Sequence, residues 1–223
     1  MKQTLKVGVL ASGSGTDLQS IIDASENNMI SAQVVVVISD KKDAKCLQRA
    51  KNHNIAHYFL DPSGKDKESY DQQITTILQT HHVELVVGAG YMRLLSKKFV
   101  QQWYAKLINI HPALLPSFKG VNGQKDALEY GVKISGCTTH FIDAEMDHGP
   151  IILQAAVKVL PNDTKDSLAL KILDVEHQIL PRTIQLYAEK RLHIKKRTVI
   201  IQPGDSWLEK YNTIPEVLYS EGY

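Results

Sequence analysis

Cysteine is nearly absent from this chain. Cys46 and Cys137 are the only two in 223 residues, too few for a disulfide framework and without the paired spacing that holds zinc. Redox chemistry is excluded, no metal is expected, and a reducing, cytoplasmic setting suits such a sequence. Long apolar runs are also missing. The stretch that begins at Leu5 is too short for a secretion signal or a membrane span, so a soluble, unexported protein is expected. Neither sign of charge dominates: 26 Lys plus Arg face 24 Asp plus Glu, a formal charge of +2. That balance argues against a surface built to grip nucleic acid or anionic membrane, leaving small molecules as the expected partners.

What is present can fill a core. Apolar residues make up 43% of the chain, enough for one large domain. Short runs rich in Val and Ile at 5–11, 33–39, 56–59, 84–89 and 106–110 read as strands buried on both faces. Helical patterns alternate with them, the first over 17–28, where Leu18, Ile21, Ile22 and Met29 repeat at near helical spacing. This order predicts an α/β fold with a doubly wound, mostly parallel sheet. After Gly131 the pattern changes to two long strand candidates, 133–143 and 150–160, expected to pair antiparallel. A long helix over about 164–188 follows, and Pro181 inside it should kink it or end its first part. No repeat, linker or low-complexity stretch appears, so one domain in two halves is expected. In the tail from Thr198, Pro203-Gly204 reads as a turn, and Trp207, Leu208 and Tyr211 as an apolar face folded back on the body.

The richest motif is Asn109-Ile110-His111-Pro112-Ala113-Leu114-Leu115-Pro116, answered by Asp147 in Met146-Asp147-His148-Gly149-Pro150. Residues two apart on a strand face the same side, so Asn109 and His111 address one cavity. Pro112 donates no ladder bond and ends the strand, leaving His111 at the carboxyl mouth where open α/β sheets bind ligands. An amide, an imidazole and a carboxylate are the parts that move an acyl group onto an amine. Taken alone, Asn-x-His at a strand end also fits a structural hydrogen-bonded pair.

Three further segments address the same mouth. Ser12-Gly13-Ser14-Gly15-Thr16-Asp17 lets backbone approach an anion at a helix start, though Ser14-x-x-Asp17 equally fits a capping box. The loop is too short for a dinucleotide and lacks the lysine of a triphosphate loop. Gly88-Ala89-Gly90-Tyr91-Met92-Arg93-Leu94-Leu95 opens a buried strand into a loop with room for a flat ring, though residue by residue it reads as an ordinary strand-to-helix turn with core aliphatics. Glu176 lies on a helix stripe with Ile172 and Leu180, so its carboxylate needs a partner, either an ion pair or a ligand's hydroxyls or amine. His140 shares a strand face with Thr138 but reads best as a satisfied structural histidine. His81-His82 fits a helix end, and Lys190-Arg191 with Lys195-Lys196-Arg197 a solvated basic face. Cys137 has no evident base and receives no nucleophilic role.

Together these segments resemble the folate-dependent formyltransferases of the phosphoribosylglycinamide formyltransferase family, over about residues 6–191. The matching pieces are Ser-Gly-x-Gly-x-x-Leu-Gln from Ser12, Ala-Gly-Tyr-Met-Arg-Leu-Leu-Ser from Ala89, Asn-Ile-His-Pro-Ala-Leu-Leu-Pro from Asn109, Met-Asp-x-Gly-Pro-Ile from Met146, and Val-Glu-His from Val175. Each is modest, and all five in order are specific. The resemblance implies a Rossmann-like formyltransferase fold with an antiparallel extension in its C-terminal half. It implies one domain over 1–223, with a phosphate-binding half (1–105) and a catalytic, folate-binding half with a short tail (106–223).

The implied reaction is formyl transfer from 10-formyltetrahydrofolate, a co-substrate, to the amine of 5'-phosphoribosylglycinamide in purine biosynthesis. By position, the resemblance puts the phosphate cradle on Gly15, Thr16 and Asp17, and a substrate contact on Glu176. It puts folate contacts on Lys67, Met92, Arg93, Leu94, Leu95 and Asn109, and the catalytic trio on Asn109, His111 and Asp147. Asn109 and His111 would form an oxyanion site, with Asp147 favouring the charged imidazole. No metal is implied, and a monomer or weak homodimer is expected.

Two departures stand out. Asp17 takes a position where relatives usually carry Asn, and its charge should weaken phosphate binding unless the side chain turns away to cap the helix. The loop Lys119-Gly120-Val121-Asn122-Gly123-Gln124 lacks histidines that some relatives carry. Three rival functions compete with this reading. A methionyl-tRNA formyltransferase should append a nucleic-acid-binding domain, and a formyltetrahydrofolate hydrolase an extra domain before the first strand. A binding module without turnover has no need of Asn109, His111 and Asp147 together.

Overall fold

Alternation of β-branched runs with amphipathic helices produces a single continuous sheet covered on both faces. The computed structural model describes residues 4–204 and 217–220; the expected apolar face of Trp207, Leu208 and Tyr211 lies outside them. In chain order the N-terminal elements are β1 (Leu5–Leu10), α1 (Thr16–Glu26), β2 (Ala32–Ser39), α2 (Lys45–Asn52), β3 (Ala56–Phe59), α3 (Lys67–Thr80), β4 (Leu85–Gly88), α4 (Lys97–Gln102) and β5 (Leu107–His111). There follow α5 (Gly123–Tyr130), β6 (Ile134–Phe141), β7 (Ile151–Lys158), α6 (Lys165–Ala188), β8 (Leu192–Lys195), β9 (Thr198–Ile201) and β10 (Leu218–Tyr219).

Among the described residues the strand order is β3-β2-β1-β4-β5-β6-β7-β9-β8, with β10 on β7. β3, β2, β1, β4 and β5 are parallel neighbours, while β5–β6 and β6–β7 are antiparallel. The doubly wound sheet with an antiparallel C-terminal extension is therefore present. Chain connections leave β1 and β4 in opposite directions, which opens a crevice beyond their carboxyl ends, where doubly wound sheets bind ligands.

Two aliphatic layers clamp the sheet. On one face α1, α2 and α6 bring Leu18, Ile21, Cys46, Ala50, Ile172 and Ile179 against the strands. On the other, α3 and α4 bring Tyr70, Ile74, Leu78, Phe99 and Trp103. Burial on both faces is why β1, β2 and β4 read as unbroken apolar runs. β3 departs from that expectation. It is the sheet edge, with Tyr58 and Phe59 exposed.

The helix starts separate two kinds of cap. Thr164 caps α6 with its side chain on the Ser167 amide, and Ser167 bonds back to the Thr164 amide. The capping box expected at Ser14 and Asp17 does not form. Gly15 occupies the N-cap of α1 at φ 69 with no side-chain cap. A Cβ on Gly15 would also come within 2.8 Å of the Cys46 backbone, so glycine is required both by conformation and by contact with α2. Pro181 does not end α6. The helix runs on to Ala188 with Pro181 fully inside it, because its buried face, including Ile179, Leu180 and Ile184, packs on both sides of the proline and outweighs one missing bond.

The β6–β7 pairing leaves no room at one position. A Cβ on Gly136 would overlap the Ala155 carbonyl and press on the Leu114 side chain. Gly136→Ala should destabilise the fold by about 1–3 kcal/mol through overpacking, read as a lower urea midpoint. An unchanged midpoint would mean that the strands shift to accept a side chain.

Candidate active site

The crevice beyond β1, β4 and β5 deepens into a cavity of about 360 Å³. Such a volume suits a small-molecule site. β5 delivers its side chains first. Asn109 and His111 lie on one face of the strand, opposite His140 and Thr138 in the antiparallel register with β6. The loop after β6 then returns Asp147 to the same space. The three groups singled out in the sequence thus converge.

Their hydrogen bonds fix proton positions. His111 Nε2 donates to the Phe118 carbonyl at 2.9 Å. A carbonyl only accepts, so that nitrogen carries a proton, and Nδ1 faces Asp147, 3.5 Å from Oδ2. Asp147 Oδ2 also accepts from the Gly120 amide at 2.8 Å, and Asp147 itself adopts φ 47. Only Asn, Asp and Gly take that left-handed conformation readily.

His140 is a buried, hydrogen-bonded histidine, as expected, and it also lines the cavity. It is 1% exposed, and its Nδ1 donates to the Phe141 carbonyl at 2.9 Å. Its Nε2 stands 3.3 Å from Asn109 Nδ2 and 3.9 Å from Asp147 Oδ1. Burial lowers its pKa from 6.5, outweighing the Phe141 hydrogen bond and the pull of Asp147. A neutral ring with its proton on Nδ1 leaves Nε2 to accept from Asn109, which fixes the amide's NH₂ and leaves its second hydrogen for the cavity. The even spacing Thr138-x-His140 carried this information. Reading it required the β5–β6 register.

Thr138 does related work one step along. Its hydroxyl donates to the Ala113 carbonyl at 2.7 Å and accepts from the Leu115 amide at 3.1 Å. The turn that follows His111 is therefore tied to β6.

The other sequence-predicted residues surround this centre. Lys67, at the start of α3, lines the cavity, as do Met92, Arg93, Leu94 and Leu95 from the loop after β4. Met92 and Leu94 are more than 60% exposed, an apolar rim rather than core. Arg93 lies over the Tyr70 ring, 4.7 Å from its centroid. The Met92 amide donates to Ser12 Oγ at 2.9 Å, and Ser12 in turn donates to Asp40 at 2.6 Å, joining this loop to the one after β1.

Asp17 and Glu176 also line the cavity, while Gly15 and Thr16 are not part of its lining. Asp17 neither caps α1 nor meets solvent freely: its Oδ1 is buried. Among the described residues no group of His, Cys, Asp and Glu is arranged to hold a metal ion. No helix among them is long and apolar enough to cross a membrane.

The loop that carries Asp147 is held at both ends. Phe141 N donates to the Pro150 carbonyl at 2.9 Å, and a Cβ on Gly149 would overlap the Phe141 carbonyl. His148 Nδ1 bonds Asp143 Oδ2 at 2.8 Å across the loop. Arg197, from the turn between β8 and β9, packs its Nη1 3.1 Å from His148 and 3.8 Å from Asp143. The basic cluster expected to be a solvated face contributes this one residue to the site's support.

The family profile described as formyl transferase matches residues 5–184. The trifunctional purine biosynthetic protein adenosine-3 of Drosophila melanogaster is 46% identical over 186 residues, 81% of this chain and 14% of that protein. The chain spans only 14% to 19% of the length of the trifunctional relatives it matches. The phosphoribosylglycinamide formyltransferase of Escherichia coli (strain K12) is 37% identical over 213 residues, covering 95% of this chain and 97% of that one. Among solved structures, glycinamide ribonucleotide transformylase 1 from Symbiobacterium toebii superposes with a TM-score of 0.89 at 45% identity, over 91% of this chain and 96% of that one.

Burial of His140 has a measurable consequence. Because its pKa is lowered, the ring should stay neutral as pH falls through 6.5 and take its proton only below that value. An NMR titration of the ring resonances reads the midpoint directly. A midpoint at or above 6.5 would remove the neutral acceptor that orients Asn109.

Proposed function

The chain belongs to the formyl transferase family, and from that premise we propose that it transfers a formyl group from 10-formyltetrahydrofolate to the amine of 5'-phosphoribosylglycinamide. In this reading residues 1–223 form one formyltransferase domain, with a phosphate-binding half over 1–105 and a catalytic, folate-binding half over 106–223. The observation that carries it is the convergence of Asn109, His111 and Asp147 on one cavity at the sheet's carboxyl edge. Relatives of matching length bear the corresponding name.

The cavity suits both reactants. A flat, partly apolar ring system is accommodated between Met92, Leu94 and Leu95, where Gly90 presents bare backbone and open space, with nothing within 4 Å of the point a Cβ would take. The acidic tail of a folate meets the cation of Lys67, while Arg93 belongs to the loop that contacts the ring. The nucleotide takes the opposite end. Its phosphate lies at the start of α1, against Gly15, Thr16 and Asp17, and its ribose hydroxyls face Glu176.

The chemistry is acyl transfer without a covalent enzyme intermediate. The neutral amine attacks the formyl carbon, the carbon–nitrogen bond to the folate breaks, and the amine's proton finally resides on the leaving nitrogen. Negative charge gathers on the formyl oxygen in between. Asn109 directs its free amide hydrogen at that oxygen, and His111, when protonated on Nδ1, directs a second. Each such donor contributes about 10²- to 10³-fold in rate. Asp147, 3.5 Å from His111 Nδ1, stabilises positive charge on the ring and is placed to relay the amine's proton. His140 acts through Asn109 as a positioning residue.

The assay is direct: folate absorbance is followed with 10-formyltetrahydrofolate plus glycinamide ribonucleotide, and with the folate and water alone. Turnover should require the ribonucleotide; consumption with water alone would identify a hydrolase instead. His111→Ala should lower kcat by about 10²-fold or more while folate binding is kept, and Asp147→Asn should also lose most of kcat. A near-normal rate in either variant removes that residue from the chemistry.

A further inference from the structure

The nucleotide end of the cavity carries more negative charge than an anion site tolerates. The first-turn amides of α1 have no carbonyl partners within the helix and no capping side chain, so they and the helix dipole favour an anion. Yet Asp17 lines the cavity at that point, its Oδ1 buried and without a hydrogen-bond partner among the described residues. Glu176 lines the same end and is 6% exposed. Two carboxylates and a phosphate sharing one cavity oppose one another's ionisation.

The groups packed around the pair do not relieve it. From α6, His177 Nε2 stands 3.9 Å from Asp17 Oδ1, and it too lacks a hydrogen-bond partner among the described residues. Burial lowers that ring's pKa against the pull of Asp174, with Arg49 adding to the fall and Asp23 opposing it. From α2, Arg49 is committed to neutral acceptors, the Ser14 carbonyl at 2.8 Å and Gln19 Oε1 at 3.1 Å. From β6, the buried Cys137 thiol is pushed well above its ordinary range by burial and then by Glu176 and Asp17. Asp23 and Asp174 add negative charge to α1 and α6. Burial raises the Asp17 carboxyl to about 6. The Glu176 carboxyl is pushed well above its ordinary range by burial and then by Asp17.

Resting on the nucleotide substrate proposed above, we infer that phosphate binding at Gly15 to Asp17 draws a proton from solvent onto the Asp17–Glu176 pair, which becomes fully protonated. Only an O–H bond forms, and the proton comes from buffer. Asp17 is thereby a specificity-determining residue: its neutral acid acts toward the phosphate as an amide would, and its anion excludes the phosphate. Nucleotide affinity accordingly falls by up to about tenfold for each pH unit above the carboxyl's midpoint.

Titration calorimetry of the intact protein with glycinamide ribonucleotide, at about pH 8 in buffers of differing ionisation enthalpy, counts the proton. Wild type should take up about half to one proton more than Asp17→Asn, a comparison that cancels titration of the phosphate itself. Asp17→Asn should also bind about tenfold more tightly or better. Equal proton counts overturn the inference and leave the substrate reading standing. A nucleotide that binds neither protein overturns the substrate reading and the inference with it.

Stability supplies a second readout that needs no ligand. A carboxyl raised from 3.8 to about 6 binds more protons folded than unfolded. The stability it contributes is present at low pH and lost as pH rises through about 6. Asp17→Asn should therefore melt higher than wild type at about pH 8 and level with it well below pH 4. Equal melting at the higher pH shows an unburied charge and overturns the inference.

Discussion

The antiparallel register between β5 and β6 is the constraint on which the site depends. It sets Asn109 opposite His140 and His111 opposite Thr138, so two strands supply four polar side chains to one face. A slip of β6 by one residue would turn Thr138 and His140 into the aliphatic layer on the other face, away from Asn109 and His111. Such a slip would also break the Thr138 bonds to Ala113 and Leu115, freeing the turn after His111. Fold and candidate site are therefore specified by the same ladder.

Much of this was legible in the chain itself. The parallel half announced itself because strands buried on both faces must be apolar throughout, and Pro112 marked the end of β5 because it cannot extend a ladder. Asn109 and His111 followed from the period of a strand, and Asp147 from the loop between two long strand patterns. What was not legible depended on partners distant in sequence. His140 reads as structural until β6 is laid beside β5. The edge position of β3 is invisible in Ala56–Phe59, since an apolar run does not say whether a neighbour lies on each side. At Pro181, local propensity pointed to a kink or an end, and with packing on both sides of it α6 continues to Ala188. Asp17 was expected either to cap α1 or to confront a phosphate; the left-handed Gly15 occupies the N-cap position, and the Asp17 Oδ1 is buried.

Electrostatics divide the cavity into two regimes. Around Asn109 and His111 nearly every polar atom has a fixed partner: Phe118, Phe141 and Gly120 contribute backbone groups whose direction cannot rotate. Fixed dipoles of this kind do not reorganise as charge develops, which is the source of rate enhancement in acyl transfer. At the opposite end, Asp17 Oδ1 and His177 Nε2 are left without hydrogen bonds among the described residues. In the proposed reaction, the fixed partners would serve the reacting carbonyl, and the incompletely paired groups a ligand that arrives with its own charge.

Arg197 stands apart from all of these, on the hairpin of β8 and β9, beyond the residue at which the family match ends. It leans on His148 and Asp143, the two sides of the loop that presents Asp147. That loop thereby has part of its support outside the span that the family profile matches. A change at Arg197 would therefore reach that wall of the cavity without touching Asn109, His111 or Asp147.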